Sequence, residues 1–369
     1  MDKKFLATAF TLTGSIIGAG FLGIPYVVAQ SGFAIGVFWI IFLGIIITYL
    51  LLCASEVTLR TKKDHQLVGL AQKYLGKKGK WAMLCVAIFG IYSALLAYLI
   101  GEGQSLAMLF TNSTTHAGGF VLVFWIALTL LLREGLRTLK KVETYGVIVV
   151  IIVFISITFK LLPQINIQNL TTIHYANFFT PFGVILFALI GFSAIPELRM
   201  IAKGQEKIVK NAVILGATIP ILAYLLFAAV FVGVLGTNVP QVATLGLGNL
   251  VILLGVFTMF TSYFVLSFAL LDLFRLDLKF KKRESYALVT IIPLLLYLFL
   301  DRFGQLNFIQ VLGIGGTISG GLTAMLILLI AKKAKEKGER KPEFSIPVNW
   351  PIIIVVAIIF LLGLFTQLF

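Results

Sequence analysis

Residues 14–32 read GSIIGAGFLGIPYVVAQSG, and the reading of this stretch decides the fold. It is apolar enough for hydrocarbon, yet Gly14, Gly18, Gly20 and Gly23 stand ahead of Pro25. Glycine inside a helix costs about 1 kcal/mol relative to alanine, and proline removes a backbone donor and clashes with the preceding turn. The cluster therefore predicts a broken helix. Within a bilayer, backbone groups freed by a break are tolerated only where they line a cavity or find protein partners, so the break predicts a polar site near the midplane. Half-helix N-termini there offer N–H groups to a carboxylate, and unwound carbonyls suit an ammonium group or a cation. The competing reading, glycines that simply let helices pack closely, suits isolated small-residue patterns better than this dense cluster.

The phrase GFLGIP at 20–25 returns as GFSAIP at 191–196. The whole chain is built for lipid: 369 residues, 59% hydrophobic and 12% charged, with a mean hydropathy of +1.03. Apolar runs long enough to cross roughly 30 Å of hydrocarbon recur throughout. Eleven are expected, at 5–28, 32–58, 81–110, 119–133, 143–162, 179–201, 208–236, 247–274, 284–300, 304–331 and 350–368. The first run continues through a full span with no cleavage site of a signal peptide. The phrases lie five spans apart, an odd number, so the matching segments run in opposite directions, the mark of an inverted-topology repeat. The expected fold class is an all-α polytopic membrane protein with helices 1 and 6 discontinuous. Its expected units are 1–163 and 164–331 as the two repeats and 332–369 as a basic loop followed by span eleven.

The formal net charge of +15 has a topological explanation. With the N-terminus in the cytoplasm and each span crossing once, every Lys and Arg except Lys160 and Arg302 falls on the cytoplasmic side. The basicity thus reports orientation and attraction to anionic lipid, and excludes nucleic acid as a partner. The same alternation puts the C-terminus outside a multi-pass cell membrane protein. Cys53 and Cys85 lie inside expected spans and form no disulfide framework; His65, His116 and His174 fall in loops without metal-ligand spacing. No metal and no cofactor is expected.

Three segments carry a family resemblance. GSIIGAGFLGIPYVVAQSG is similar to the first span of the hydroxy/aromatic amino acid permeases and their amino acid/auxin permease relatives, in the amino acid–polyamine–organocation superfamily. YSALLAYLIGEGQSL at 92–106 resembles their third span, and FGVILFALIGFSAIPEL at 182–198 their sixth. The resemblance implies eleven spans in a five-plus-five inverted repeat (LeuT-like) that moves amino acids by alternating access. A proton is the usual coupling ion in the aromatic branch, and sodium serves some more distant relatives.

Under that resemblance, backbone groups around Ser15, Ile16, Gly18, Ala19 and Gly20 hold the substrate carboxylate. They share its ammonium with carbonyls near Phe187, Ala188 and Gly191. Tyr92, Tyr98, Phe187 and Phe192, with Tyr263, are candidates to stack on an apolar or aromatic side chain, although most phenylalanines in such a chain face lipid or core. For a coupled proton the candidates are Glu102 and Glu197, because an intramembrane carboxylate is costly and functional by default. Glu56 and Asp272 lie nearer the ends of their spans and suit pairing with Arg60 and Arg275. For sodium, Thr258, Thr261 and Ser262 offer hydroxyls, which in membrane helices also bond back to their own backbone.

Rival classes find less support. The sequence has no H-E-x-x-H and no nucleophile elbow, and LGKKGKW lacks the Ser or Thr of a phosphate-binding loop, so an enzyme is not expected. A sensor or channel on the same fold remains the alternative to an amino acid permease in a lipid bilayer. GIGGTISGG at 313–321 reads as a close-packing or rocking surface.

Overall fold

The computed structural model describes residues 3–134, 154–304 and 307–368, and the regular structure among them is helical, with no strand. The first apolar run forms two helices, α1 (Lys3–Ile16) and α2 (Ile24–Ser31), joined through a 3-10 turn at Ala19–Gly23 and bent by 48°. Next come α3 (Phe33–Arg60), α4 (Leu67–Thr111) and α5 (Ala117–Glu134), with residues 154–161 also helical. The sixth run is again two helices, α6 (Thr180–Leu189) and α7 (Ile195–Ile201), flanking a 3-10 turn at Phe192–Ala194. The remainder is α8 (Val209–Leu235), α9 (Asn249–Asp272), α10 (Lys282–Arg302), α11 (Phe308–Gly315), α12 (Gly321–Lys337) and α13 (Trp350–Leu368).

Eight helical segments are long and apolar enough to cross a membrane, and the bent α1–α2 pair makes a ninth. The count of eleven is thus met only in part among the described residues. The expected fourth span is a shorter apolar helix, and the expected fifth, 143–162, lies outside the described residues up to position 153. α4 is kinked into two helices: a short first one, 67–75, buries an apolar face of Val68, Leu70, Ala71 and Tyr74, and the one that follows holds the expected third span, 81–110. The junction is Gly76, at φ 72° and ψ −161°, a conformation that glycine alone adopts cheaply.

Both glycine-to-proline phrases encode one local structure. Pro25 and Pro196 do not interrupt helices; each sits in the first turn of the half-helix that follows the break, where a missing N–H is no loss. The broken spans then pack across the bundle in matching ways. α1 lies along α8, where Thr13 Oγ1 donates to Gly216 O at 3.1 Å, while α6 and α7 lie along α3. α4 packs on α9, and α11 and α12 close against α4. The GIGGTISGG run is a close-packing surface: it holds a π turn at Gly316–Gly320, and a Cβ built on Gly183 would meet Gly313 O at 2.4 Å.

At the basic end a buried acid fastens the segment between α12 and α13. Glu56, 2% exposed, pairs with Arg60 at 2.7 Å and Lys335 at 3.3 Å, and accepts from Ser345 Oγ at 3.1 Å and Ile346 N at 2.6 Å. Farther along this strap, the Lys73 ammonium and the Lys62 N–H hold the Glu339 carboxyl below its ordinary range. That attachment is present above the ordinary carboxylate range and is lost as pH falls through the lowered value. Glu56→Ala leaves two cations and a backbone N–H without their partner. Breaking a buried pair costs about 3–5 kcal/mol, so a marked drop in the thermal midpoint of the purified protein is expected, with Glu56→Gln less damaging.

Candidate functional site

The two breaks meet. A Cβ built on Gly20 would lie 2.7 Å from the Phe187 ring and 3.5 Å from Ala188 Cα, and one built on Gly191 would lie 2.5 Å from Ile16 Cγ1. Each break thus presses a glycine onto the other's flanking residues, and no larger residue fits between them. Ile16, Ala19, Gly20, Ala188, Gly191 and Phe192 are all buried there, and Phe187 is half-buried.

The freed backbone groups find specific partners. Ala19 N–H donates to Ser262 Oγ of α9 at 3.1 Å, and Gly18 N–H donates to Ile16 O at 2.8 Å. The Tyr98 hydroxyl of α4 faces the same backbone, 3.9 Å from a Cβ built on Gly18. Tyr224 of α8 completes the cluster: its hydroxyl lies 2.9 Å from Ile16 O and 2.9 Å from Ala188 O, touching both broken spans. Sequence reasoning weighed Tyr92, Tyr98 and Tyr263 and missed Tyr224. Its signal was the sole tyrosine of an otherwise apolar span.

Other expected residues separate into those at the breaks and those elsewhere. Tyr92 points away, donating to Leu288 O of α10 at 3.1 Å, and Tyr263 packs edge-on against Phe124 of α5 with ring centroids 5.5 Å apart. Thr261 turns its hydroxyl back to Phe257 O at 3.0 Å, and Thr258 to Leu254 O at 2.6 Å. Ser15, at the end of α1, is exposed, and space is open around Gly14 beside it. On α7, Glu197 is exposed rather than buried, because the first turn of this short helix presents it outward; the burial argument does not apply to it.

Glu102 is buried, 1% exposed, and among the described residues its Oε2 has no hydrogen-bond partner. It stands four residues after Tyr98, one turn along the same face of α4. No group of three or more His, Cys, Asp or Glu able to hold a metal ion occurs among the described residues.

Comparison with known proteins adds a functional context. A model described as the tryptophan/tyrosine permease family matches residues 1–256. The chain is 26% identical over 239 residues to the tyrosine-specific transport system 1 of Haemophilus influenzae, a match covering 64% of this chain and 59% of that protein. It is 25% identical over 365 residues to glutamine transporter 2 of Aliivibrio fischeri, covering 91% of this chain and 92% of that one. Amino acid transporter AVT1H of Arabidopsis thaliana is 23% identical over 237 residues, 60% of this chain and 54% of that one. The chain therefore spans about three fifths of the H. influenzae protein and nearly all of the A. fischeri one.

Proposed function

The chain belongs to the tryptophan/tyrosine permease family, and on that premise we propose that it is a secondary active amino acid transporter, coupling uptake of aromatic or other neutral amino acids to a proton by alternating access. The observation that carries this reading is the mutual packing of the two breaks, which brings unwound backbone from two spans to one place. An α-amino acid needs partners for both of its charged ends, and such paired breaks supply donors and carbonyls together.

Helix pairing supports the five-plus-five inverted repeat. α1 on α8 has its counterpart in α6 and α7 on α3, while α3 with α8 and α4 with α9 are pairs between equivalent helices. In this reading residues 1–163 and 164–331 are the repeats, and 332–369 is an addition. The basic end is cytoplasmic, with the N-terminus there and the C-terminus outside.

Backbone from Ser15 to Gly20 receives the carboxylate, and carbonyls around Phe187, Ala188 and Gly191 share the ammonium. Tyr98 and Phe187 are the aromatic walls at the breaks. Glu102 carries the proton: among the described residues no cation pairs with its buried carboxyl, so a charge there is costly and is relieved by taking up a proton. Of the three sodium candidates, Ser262 accepts from Ala19 N–H, and Thr258 and Thr261 donate to carbonyls of their own helix.

Counterflow in proteoliposomes with labelled tyrosine, tryptophan, glutamine and alanine tests the assignment. Ser262→Ala removes the acceptor of a buried N–H and is expected to raise the half-saturation concentration about tenfold. Thr261→Val is expected to leave it unchanged. Loss of activity in Thr261→Val together with a sodium requirement would replace the proton by sodium; no counterflow of any amino acid would overturn transport.

A further inference from the structure

We propose that Tyr224 is the positioning residue of the amino-acid site: its single hydroxyl ties the carbonyl ends of both broken spans and sets the spacing of the backbone groups that receive substrate. This rests on the reading of the paired breaks as that site. Ile16 is the last residue of α1 and Ala188 lies in the last turn of α6, so their carbonyls are among those that a helix end leaves without an intrahelical donor. Buried carbonyls need a donor: Ala188 O takes one from Tyr224, and Ile16 O, which also accepts from Gly18 N–H at 2.8 Å, lies at the same 2.9 Å from the Tyr224 oxygen.

A phenol has one hydrogen to give, so the two carbonyls share it. The hydroxyl therefore holds both ends in reach of one point, and it follows whichever carbonyl moves closer. Its own position is fixed from the first break. The ring stacks on Phe21, in the 3-10 turn of that break, with centroids 5.9 Å apart and planes 13° from parallel, and Phe227, one turn along the same face of α8, meets Phe21 edge-on at 4.8 Å. With 1% of its surface exposed, Tyr224 meets no solvent that could replace these bonds. Because it acts on backbone common to every amino acid's binding mode, its loss weakens all substrates alike and leaves the choice among side chains intact.

The test uses the purified full chain in proteoliposomes, with whichever of labelled tyrosine, tryptophan, glutamine and alanine the wild type takes up. Tyr224→Phe keeps the stack and removes the hydrogen; KM is expected to rise about tenfold for every substrate, with maximal rate per folded molecule within about threefold. Tyr224→p-aminophenylalanine restores a donor, now with two hydrogens, and is expected to return KM to within about threefold of wild type. Glu56→Ala loosens the strap at the basic end without touching the carbonyls or the aromatic stack, and is expected to lower the thermal midpoint while leaving KM unchanged. An unchanged KM in Tyr224→Phe overturns the inference, as does an equal rise in Glu56→Ala, which would mark a merely structural role. If Tyr224→Phe yields no folded protein, the p-aminophenylalanine variant decides: a wild-type KM supports the inference and a raised one overturns it. A wild type that takes up none of the four overturns the site reading first and this inference with it.

Discussion

Gly316→Ala is expected to reduce transport to a tenth or less of wild type, roughly, while the protein still folds and inserts. A Cβ on Gly316 would lie 2.3 Å from Gly183 O, 2.6 Å from Phe187 Cβ and 2.8 Å from Phe187 N. Two of these are backbone atoms and none is the far end of a flexible side chain, so the methyl group cannot be absorbed by a rotamer change. α6 must move off the π turn instead, at a cost of about 1–3 kcal/mol. The displaced residue is Phe187, whose ring lies against Gly20 in the opposite break, so the strain arrives at the site. Gly183→Ala is expected to behave the same way from the facing side. Gly119→Ala serves as the control, since a Cβ there meets nothing within 4 Å. Uptake per folded molecule, normalised by size-exclusion profile, is the measurement; wild-type rates in both Gly316→Ala and Gly183→Ala would contradict the account of this contact.

Glu102→Gln is expected to separate coupling from exchange. Glutamine matches the carboxyl in shape but cannot take up or release a proton, and it places no charge in the buried position. Concentrative uptake driven by a proton gradient should fall to background. Counterflow, which needs only loaded carrier to cross in both directions, should persist within about threefold and lose its dependence on pH. Glu197→Gln, at an exposed position on α7, should change neither. If proton-driven accumulation survives in Glu102→Gln, the proton resides elsewhere.

Local chemistry was the legible part. The breaks at Gly18–Gly20 and Gly191 follow from breakers that act within a turn or two, and Pro25 and Pro196 start half-helices for reasons confined to their own N–H groups. The burial of Glu102 likewise follows from its place inside an apolar run. Contacts between distant segments were not legible. Tyr224 matters because two carbonyls, 208 and 36 residues away, converge on it, and no local pattern encodes that meeting. The strap at Glu56 is of the same kind, with Ser345 and Ile346 supplied from 289 and 290 residues along the chain. Helical phase explains the tyrosines: Tyr98 faces the break, whereas Tyr92 and Tyr263 lie on faces claimed by α10 and α5. The span count is met in part among the described residues: the expected fourth span is an apolar helix, Ala117–Glu134, shorter than the others, and the expected fifth lies outside the described residues up to position 153.

The most direct measurement is uptake of labelled tyrosine, tryptophan, glutamine and alanine by the purified protein in liposomes, with a proton gradient and a sodium gradient imposed separately. The account predicts concentrative uptake of at least one of these amino acids under the proton gradient alone, abolished by a protonophore and indifferent to sodium. Accumulation that requires sodium would contradict the role given to Glu102, and the absence of gradient-driven uptake of any amino acid would contradict the transporter reading itself.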